Sequence, residues 1–342
     1  MSDILLYYVV IPLAKIAAIV GILSGGVAYL TLLERKLIAR MQNRLGPMRV
    51  GWHGLLQPLA DGLKFILKED VVPLRADRLV FTIAPAISLI PAFIVFSVIP
   101  FGPPESLWGT GGYVTDINIA LLFVVAVSSV GVLGIILGGW ASNSKYPLLG
   151  ALRASAQMVS YEVAMGFGII AVLMVANSLS LVDVVLKQKS MGVWFFFVQP
   201  VSFILYYACG MAETNRLPFD LPEAETELVG GFHTEYSGFR FSLFFIAEYT
   251  NMITVSILAV ILFFGGWLRP FPNVPQLAFL DLIPPPLWFV LKLLLSLYVF
   301  IWVRGTLPRF RFDQLMRIGW KIFLPVAMAN VIVTGAVMLK FI

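Results

Sequence analysis

The chain is poor in the side chains that hold cofactors. It has one cysteine, Cys209, and two histidines, His53 and His233, in 342 residues. A lone thiol excludes a disulfide framework, a thiolate-held iron–sulfur cluster and a Cys-based zinc site. Two histidines so far apart in sequence argue against a haem or metal centre, so any redox chemistry nearby belongs to another chain. Charge is scarce as well: 13% of residues are charged, 59% are hydrophobic and the mean hydropathy is +0.91. Those values exclude an ordinary soluble domain and define an integral membrane protein. There is no low-complexity tract, no clear internal repeat and no sign of a soluble second domain, so residues 1–342 read as a single membrane domain. A transporter built from inverted halves would show matching interruptions in both halves. A basic n-region is missing too, since Asp3 stands where a signal peptide would carry positive charge.

What is present is a series of long apolar segments, at approximately 4–33, 79–101, 117–139, 157–178, 193–211, 241–266, 286–304 and 319–341. Each is long enough for a hydrocarbon core of about 30 Å. The expected fold is an all-α integral membrane protein with about eight transmembrane helices. At about 1.5 Å per residue the first would measure about 45 Å, which requires tilt or a bend, and Pro12, Gly21, Gly25 and Gly26 are available for bending. Lys and Arg are distributed unevenly. Of the 24, eighteen fall in loops 34–78, 140–156, 212–240 and 304–318 with Lys321, whereas Lys187, Lys189, Arg269 and Lys340 make up the opposite side. By the positive-inside signal the first set of loops is cytoplasmic and both termini face away from the cytoplasm. The net charge of +5 is thereby a topology signal, not a nucleic-acid footprint.

Loop 34–78 starts with a basic run from Glu34 to Arg49 and Gly/Pro punctuation at Gly46-Pro47. Beyond it Leu55, Leu59, Leu63, Ile66 and Leu67 recur at helical spacing while Asp61, Lys64 and Lys68 share another face. This predicts a cytoplasmic amphipathic helix at the interface, either a simple anchor or a lid for an amphiphilic ligand. His53 reads as an interfacial packing residue.

Loop 212–240 is the exception among the basic loops. Asp220, Glu223, Glu225 and Glu227 crowd into eight positions, with Glu235 following, and only Arg216 and Arg240 oppose them. Carboxylates this close disfavour joint ionisation, so they are suited to holding or passing protons near neutral pH; an acidic docking surface for a basic partner is the alternative. Three more acids fall inside or at the end of apolar segments: Glu162, Glu213 and Glu248. An ionised carboxylate at the bilayer centre costs about 2.5–3.5 kcal/mol by insertion scales. Such residues therefore have an interior partner or a role, with a proton path set against hydrogen bonding between helices as neutral acids. Lys292 is a further buried ionisable candidate, and Arg304, Arg309, Arg311, Asp313 and Arg317 read first as interfacial anchors.

These residues together resemble one family, the H-type membrane subunit of proton-pumping NADH:quinone oxidoreductase, respiratory complex I. The matching stretches are Glu34-Arg35-Lys36, Gly46-Pro47, Arg49-Val50-Gly51, the run 54–62, Ser144-Lys145-Tyr146, Ser160-Tyr161-Glu162, the run 218–225 and Asp313-Gln314-Leu315-Met316. The resemblance covers essentially the whole chain. It implies a non-redox subunit in a bacterial inner membrane that closes the membrane end of a quinone chamber, with Arg35, Gly46, Arg49, Asp61 and Lys64 at or near its entrance. It also implies a proton path through Glu162, Glu213, Asp220, Glu223, Glu225, Glu227, Glu235 and Glu248. Quinone is then a substrate, and the iron–sulfur clusters and FMN lie in partner subunits; the partners are the peripheral arm and the small and antiporter-like membrane subunits. The chain departs from the usual pattern at Met48, Phe232 and Ser129, the last at a helix position where some members carry Glu. The alternatives are the membrane subunit of an energy-converting hydrogenase and a free-standing proton-coupled transporter.

Overall fold

The computed structural model describes residues 10–104, 112–220 and 229–341, and among them every regular element is helical. Seven helices are long and apolar enough to cross a membrane. They are α1 (Ile11–Met41), α3 (Arg78–Ile94, prolonged by a tight turn at Val95–Ser97), α4 (Ala120–Ala141), α5 (Lys145–Ala176), α8 (Gly238–Phe263), α9 (Pro285–Thr306) and a final pair that acts as one span, α10 (Phe312–Ile318) with α11 (Leu324–Phe341). A π-helical turn, Gly319–Phe323, joins that pair. Shorter helices are α2 (Gln57–Leu67), α6 (Leu181–Met191) and α7 (Pro200–Glu213).

Local chemistry explains several of the boundaries. The Asp77 side chain caps α3 by accepting from the amides of Leu79 and Val80 at 3.1 and 3.3 Å, and Ser180 caps α6 by accepting from the Asp183 amide. Gly192, in the left-handed region at φ 70°, terminates α6.

The apolar segment 193–211 does not form one continuous span. It divides into a single turn, Phe195–Val198, and α7, because Pro200 has no N–H to continue the ladder and Gln199 leaves helical geometry. The buried side chains of Gln199 and Ser202 at the break are bonded from α11: Gln199 donates to Thr334 at 2.9 Å, and Asn330 donates to Gln199 and Ser202 at 3.2 and 2.8 Å. Helix extends into two stretches expected as loops. α1 runs on through Met41, and only residues 142–144 separate α4 from α5, so α5 reaches 32 residues.

α8 is the axis of the molecule: 78% of its most apolar stretch is buried, against 22% for α1 and 11% for the last span. It packs against α1, α2, α3, α7 and α9. α3 and α4 approach most closely at Gly134, where an added Cβ would lie 2.6 Å from the Ser88 amide nitrogen, the small-residue contact by which membrane helices pack without a hydrophobic driving force. α2 forms as expected, but none of its residues is buried and Leu59, Leu63, Ile66 and Leu67 face outward. Its apolar stripe is presented to lipid or a neighbouring chain.

Candidate functional site

At the C-terminal ends of α1 and α9, three helices converge on a polar pocket. Glu34, buried near the end of α1, forms an ion pair with Arg304 from the last turn of α9, and the Tyr249 hydroxyl on α8 donates to its other oxygen at 2.9 Å. Both Glu34 oxygens are thereby held, which is what a carboxylate removed from water requires. These groups, with Arg35, Ile38, Arg44, Gly46, Pro47, Arg216 and Phe245, line a cavity of about 510 Å³. The loop that forms its wall lies tight against α1 because residue 46 is glycine: a Cβ there would come within 3.0 Å of Lys36 Cα. Gly54, at φ +77°, closes the same loop, since a Cβ would sit 2.2 Å from the Pro47 carbonyl oxygen. The lining combines an apolar wall with fixed cations, a pattern suited to a ligand with a polar head and an apolar body.

A second arm leads inward from this pocket. Arg216 is buried with its guanidinium 4.2 Å from the Tyr249 ring centre and its Nε 2.7 Å from Glu248 Oε1. Glu248 also lines a cavity of about 40 Å³ shared with Glu213, Asn215, Asn251 and Ser88. Glu213 in turn faces a smaller cavity of about 20 Å³ bordered by Ser128, Tyr206, Asn251 and Thr254. Each is large enough for a water molecule. Glu213 Oε2 is buried and has no hydrogen-bond partner among the described residues. Ser129, next to Ser128 on α4, is hydrogen-bonded to Glu162 on α5. The Ser129 hydroxyl also bonds to the Val125 carbonyl oxygen one turn earlier on α4.

The expected site residues separate into groups. Arg35 and Gly46 line the larger cavity. Asp61 joins it through Arg35, at 2.7 Å, and is oriented by Gln57 at 3.0 Å. Arg49 and Lys64 are exposed outside it, with the Lys64 ammonium 5.6 Å from the Phe65 ring. Glu162, Glu213 and Glu248 lie along the inner arm. Asp220 does not: it pairs with Arg309 at 3.0 Å, beside the Phe219–Phe310 stack, and pins the 307–311 loop to the acidic segment. Glu235 is half-buried and borders none of these cavities. Glu223, Glu225 and Glu227 lie outside the described residues. Among the described residues, no three His, Cys, Asp or Glu side chains are grouped as metal ligands would be.

In the turn 229–237, His233 packs edge-on to Phe232 and Phe241, and burial lowers its pKa from 6.5 to about 4, with Asp220 pulling weakly the other way. Burial also raises the Tyr236 phenol; its hydroxyl donates to the Phe81 carbonyl at 3.2 Å.

Sequence reasoning reads Arg304 as an interfacial anchor and Arg216 as one of two cations opposing the acidic loop, and misses the pairing of each with an acid in another segment. The available signal is an arginine at or beyond the end of a span facing acids in other segments, Glu248 and Glu34, but many cytoplasmic arginines share that description.

An all-helical membrane protein with a polar pocket at one face and a train of interior carboxylates is the class that the fold and site define. The family model for NADH dehydrogenase matches residues 14–335. The chain is 51% identical to an H-type subunit of NADH-quinone oxidoreductase from Geobacter sulfurreducens, over 97% of this chain and 96% of the relative. It is 52% identical to an H-type subunit of the same enzyme from Rhizobium meliloti, over 94% and 96%, and 49% identical to that of Syntrophotalea carbinolica, over 98% of both. The chain belongs to this family, the H-type membrane subunits of NADH-quinone oxidoreductase, respiratory complex I.

Proposed function

We propose that the cavity bounded by Glu34, Arg304, Arg216 and Tyr249 is the membrane floor of a quinone chamber completed by the peripheral arm, and that the inner arm carries the resulting charge change toward the proton-translocating subunits. The observation that carries this reading is the continuity from a cavity of about 510 Å³ to Glu248 through one buried arginine. A quinone accepts two electrons and two protons to become a quinol; the electrons come from an iron–sulfur centre in a partner subunit. This chain contributes positioning and electrostatics. Arg35 and Asp61 orient each other at the cavity mouth, and Arg44, Arg216 and Arg304 place positive charge where anionic character develops on the headgroup.

Arg216 makes the coupling physical. It serves both the Tyr249 ring and Glu248, so added negative charge in the chamber draws its guanidinium and weakens the hold on Glu248. Glu248 is then driven to take up a proton, and water in the two small cavities passes the change on to Glu213 and the Ser129–Glu162 pair. Glu223, Glu225, Glu227 and Glu235 remain candidates for supplying protons from the cytoplasmic side. The subunit performs no redox step, and both its termini lie on the non-cytoplasmic side of a bacterial inner membrane, as the Lys and Arg distribution supports.

The test is Glu213→Gln in the assembled complex, which keeps the shape and removes the titrating proton. Inhibitor-sensitive quinone reduction is expected to fall severalfold and proton translocation to fall with it. Wild-type rates of both would remove Glu213 from the path.

A further inference from the structure

The largest of these cavities, about 630 Å³, lies at the opposite face of the molecule, where Trp288 marks the N-terminal end of α9 and Arg304 its far end. Its wall is assembled from the last turn of α6 with Lys189, the segment Trp267 to Pro272 beyond α8, and the start of α9. Nothing in the proposed quinone chamber or the inner arm uses it.

The polar groups there are arranged around one arginine. Arg269 is largely buried, with its Nε 2.9 Å from Asp281 Oδ1 and Nη2 donating to the Pro272 carbonyl at 2.9 Å. The guanidinium is thereby fixed along two of its edges. Its remaining donor, Nη1, is buried with no acceptor among the described residues. An unmet charged donor in such a position is costly, and an anionic oxygen would offset that cost. Asp281 neutralises the arginine only in part, because its side chain is 63% exposed and the pair is screened by solvent. Lys189 adds an exposed second cation that makes no ion pair among the described residues.

The distribution of charge makes this placement unusual. The sequence puts only Lys187, Lys189, Arg269 and Lys340 on this face, and two of the four line this one cavity. The apolar side of the wall includes Trp267, Trp288 and Ile283, and tryptophan at the end of a span is the residue that sits at headgroup level. Leu186 and Leu287, 41% and 48% exposed, continue the surface outward along α6 and α9, where an acyl chain would lie. A soluble anion needs the cations and not the flanking leucines; a neutral lipid needs the leucines and not the cations.

We propose that this cavity binds the phosphate of an anionic phospholipid in the leaflet opposite the quinone pocket, with Arg269 Nη1 and Lys189 Nζ on the phosphate oxygens and the acyl chains along Leu186 and Leu287.

The experiment uses the assembled complex in phosphatidylcholine vesicles containing a trace of photoactivatable phosphatidylglycerol, with labelled peptides mapped by mass spectrometry. Labelling is expected on the segments around Leu186 and Leu287, competed by unlabelled phosphatidylglycerol and unaffected by further phosphatidylcholine or inorganic phosphate. Arg269→Gln is expected to abolish labelling there, but it removes a buried ion pair and can disturb folding. The exposed Lys189→Gln is the safer variant. It should lower labelling at this position about fivefold, the effect of one basic side chain at an anionic surface, while labelling elsewhere on the complex stays unchanged and serves as the control. Equal competition by phosphatidylcholine, displacement by inorganic phosphate, or undiminished labelling in Lys189→Gln would each overturn the proposal.

Discussion

Arg216 lies with its guanidinium 4.2 Å from the centre of the Tyr249 ring, so the residue that grips Glu248 also rests on the tyrosine that donates to Glu34. Two acids on different helices, one in the pocket and one on the inner arm, are therefore in contact with the same cation–aromatic pair. A planar, delocalised cation can lie flat on a ring while its edge faces a carboxylate, a geometry that the compact ammonium of lysine does not reproduce.

Arg216→Lys is accordingly not a mild change. It retains the charge but loses the stack, worth about 0.5–2 kcal/mol, and the planar guanidinium edge that is ion-paired with Glu248. The expected result in the assembled complex is a severalfold loss of inhibitor-sensitive quinone reduction accompanied by a lower ratio of protons moved per quinone reduced. A variant that keeps both within twofold of wild type would show that the arginine does not link the two acids.

Asp61→Asn addresses the cavity mouth. Asp61 orients Arg35 at 2.7 Å, and that pair is partly exposed, so its effect on stability is small, of order 0–1 kcal/mol. Its effect on ligand entry is larger: reduction of a long-tailed quinone is expected to fall further than reduction of a hydrophilic artificial acceptor that bypasses the chamber. Equal loss with both acceptors would place Asp61 outside the quinone route.

His233 makes the 229–237 turn sensitive to acid. Burial holds its folded pKa at about 4, below the ordinary 6.5. Above pH 6.5 both the folded and the opened turn hold a neutral imidazole and there is no effect. As pH falls from 6.5 toward 4 the opened turn takes up a proton that the packed turn refuses, and the packed form loses stability, about 2 kcal/mol by pH 5. The protection factor of this turn in the assembled complex, taken relative to the intrinsic exchange rate at each pH, is expected to fall between pH 7 and pH 5, and His233→Gln to remove that fall. The same fall in the variant would assign it to another group.

Much of the architecture is legible from hydropathy. Seven long spans and the amphipathic α2 stand near where the apolar runs and the spacing of Leu59, Leu63 and Ile66 put them, because a membrane helix must bond its own backbone and hydropathy reports that directly. The division of segment 193–211 is not legible, although Pro200 stands in it, since a proline in a membrane helix kinks or breaks it according to what its neighbours supply. Here Thr334 and Asn330, more than a hundred residues away, bond the side chain of Gln199 at the break. Glu162, Glu213 and Glu248 can be chosen as interior acids from the cost of burying charge. The cations that face Glu248 and Glu34 cannot, since Arg216 and Arg304 carry the same positive-inside signal as the exposed Arg49. Pairing across helices depends on packing, and a sequence pattern along one helix does not encode which neighbour it meets.

Lys292 shows what such pairing implies for biogenesis. Its ammonium, under 5 Å from the Trp194 ring, donates to the carbonyls of Phe264, Gly266 and Leu268 at 2.6, 3.0 and 2.5 Å. All three of its protons are thereby engaged by the chain that leaves α8. Alone in oil, α9 would carry an unshielded cation; beside α8 it carries none that lipid can sense. Entry of α9 into lipid is therefore favoured by the presence of α8 with its exit already folded.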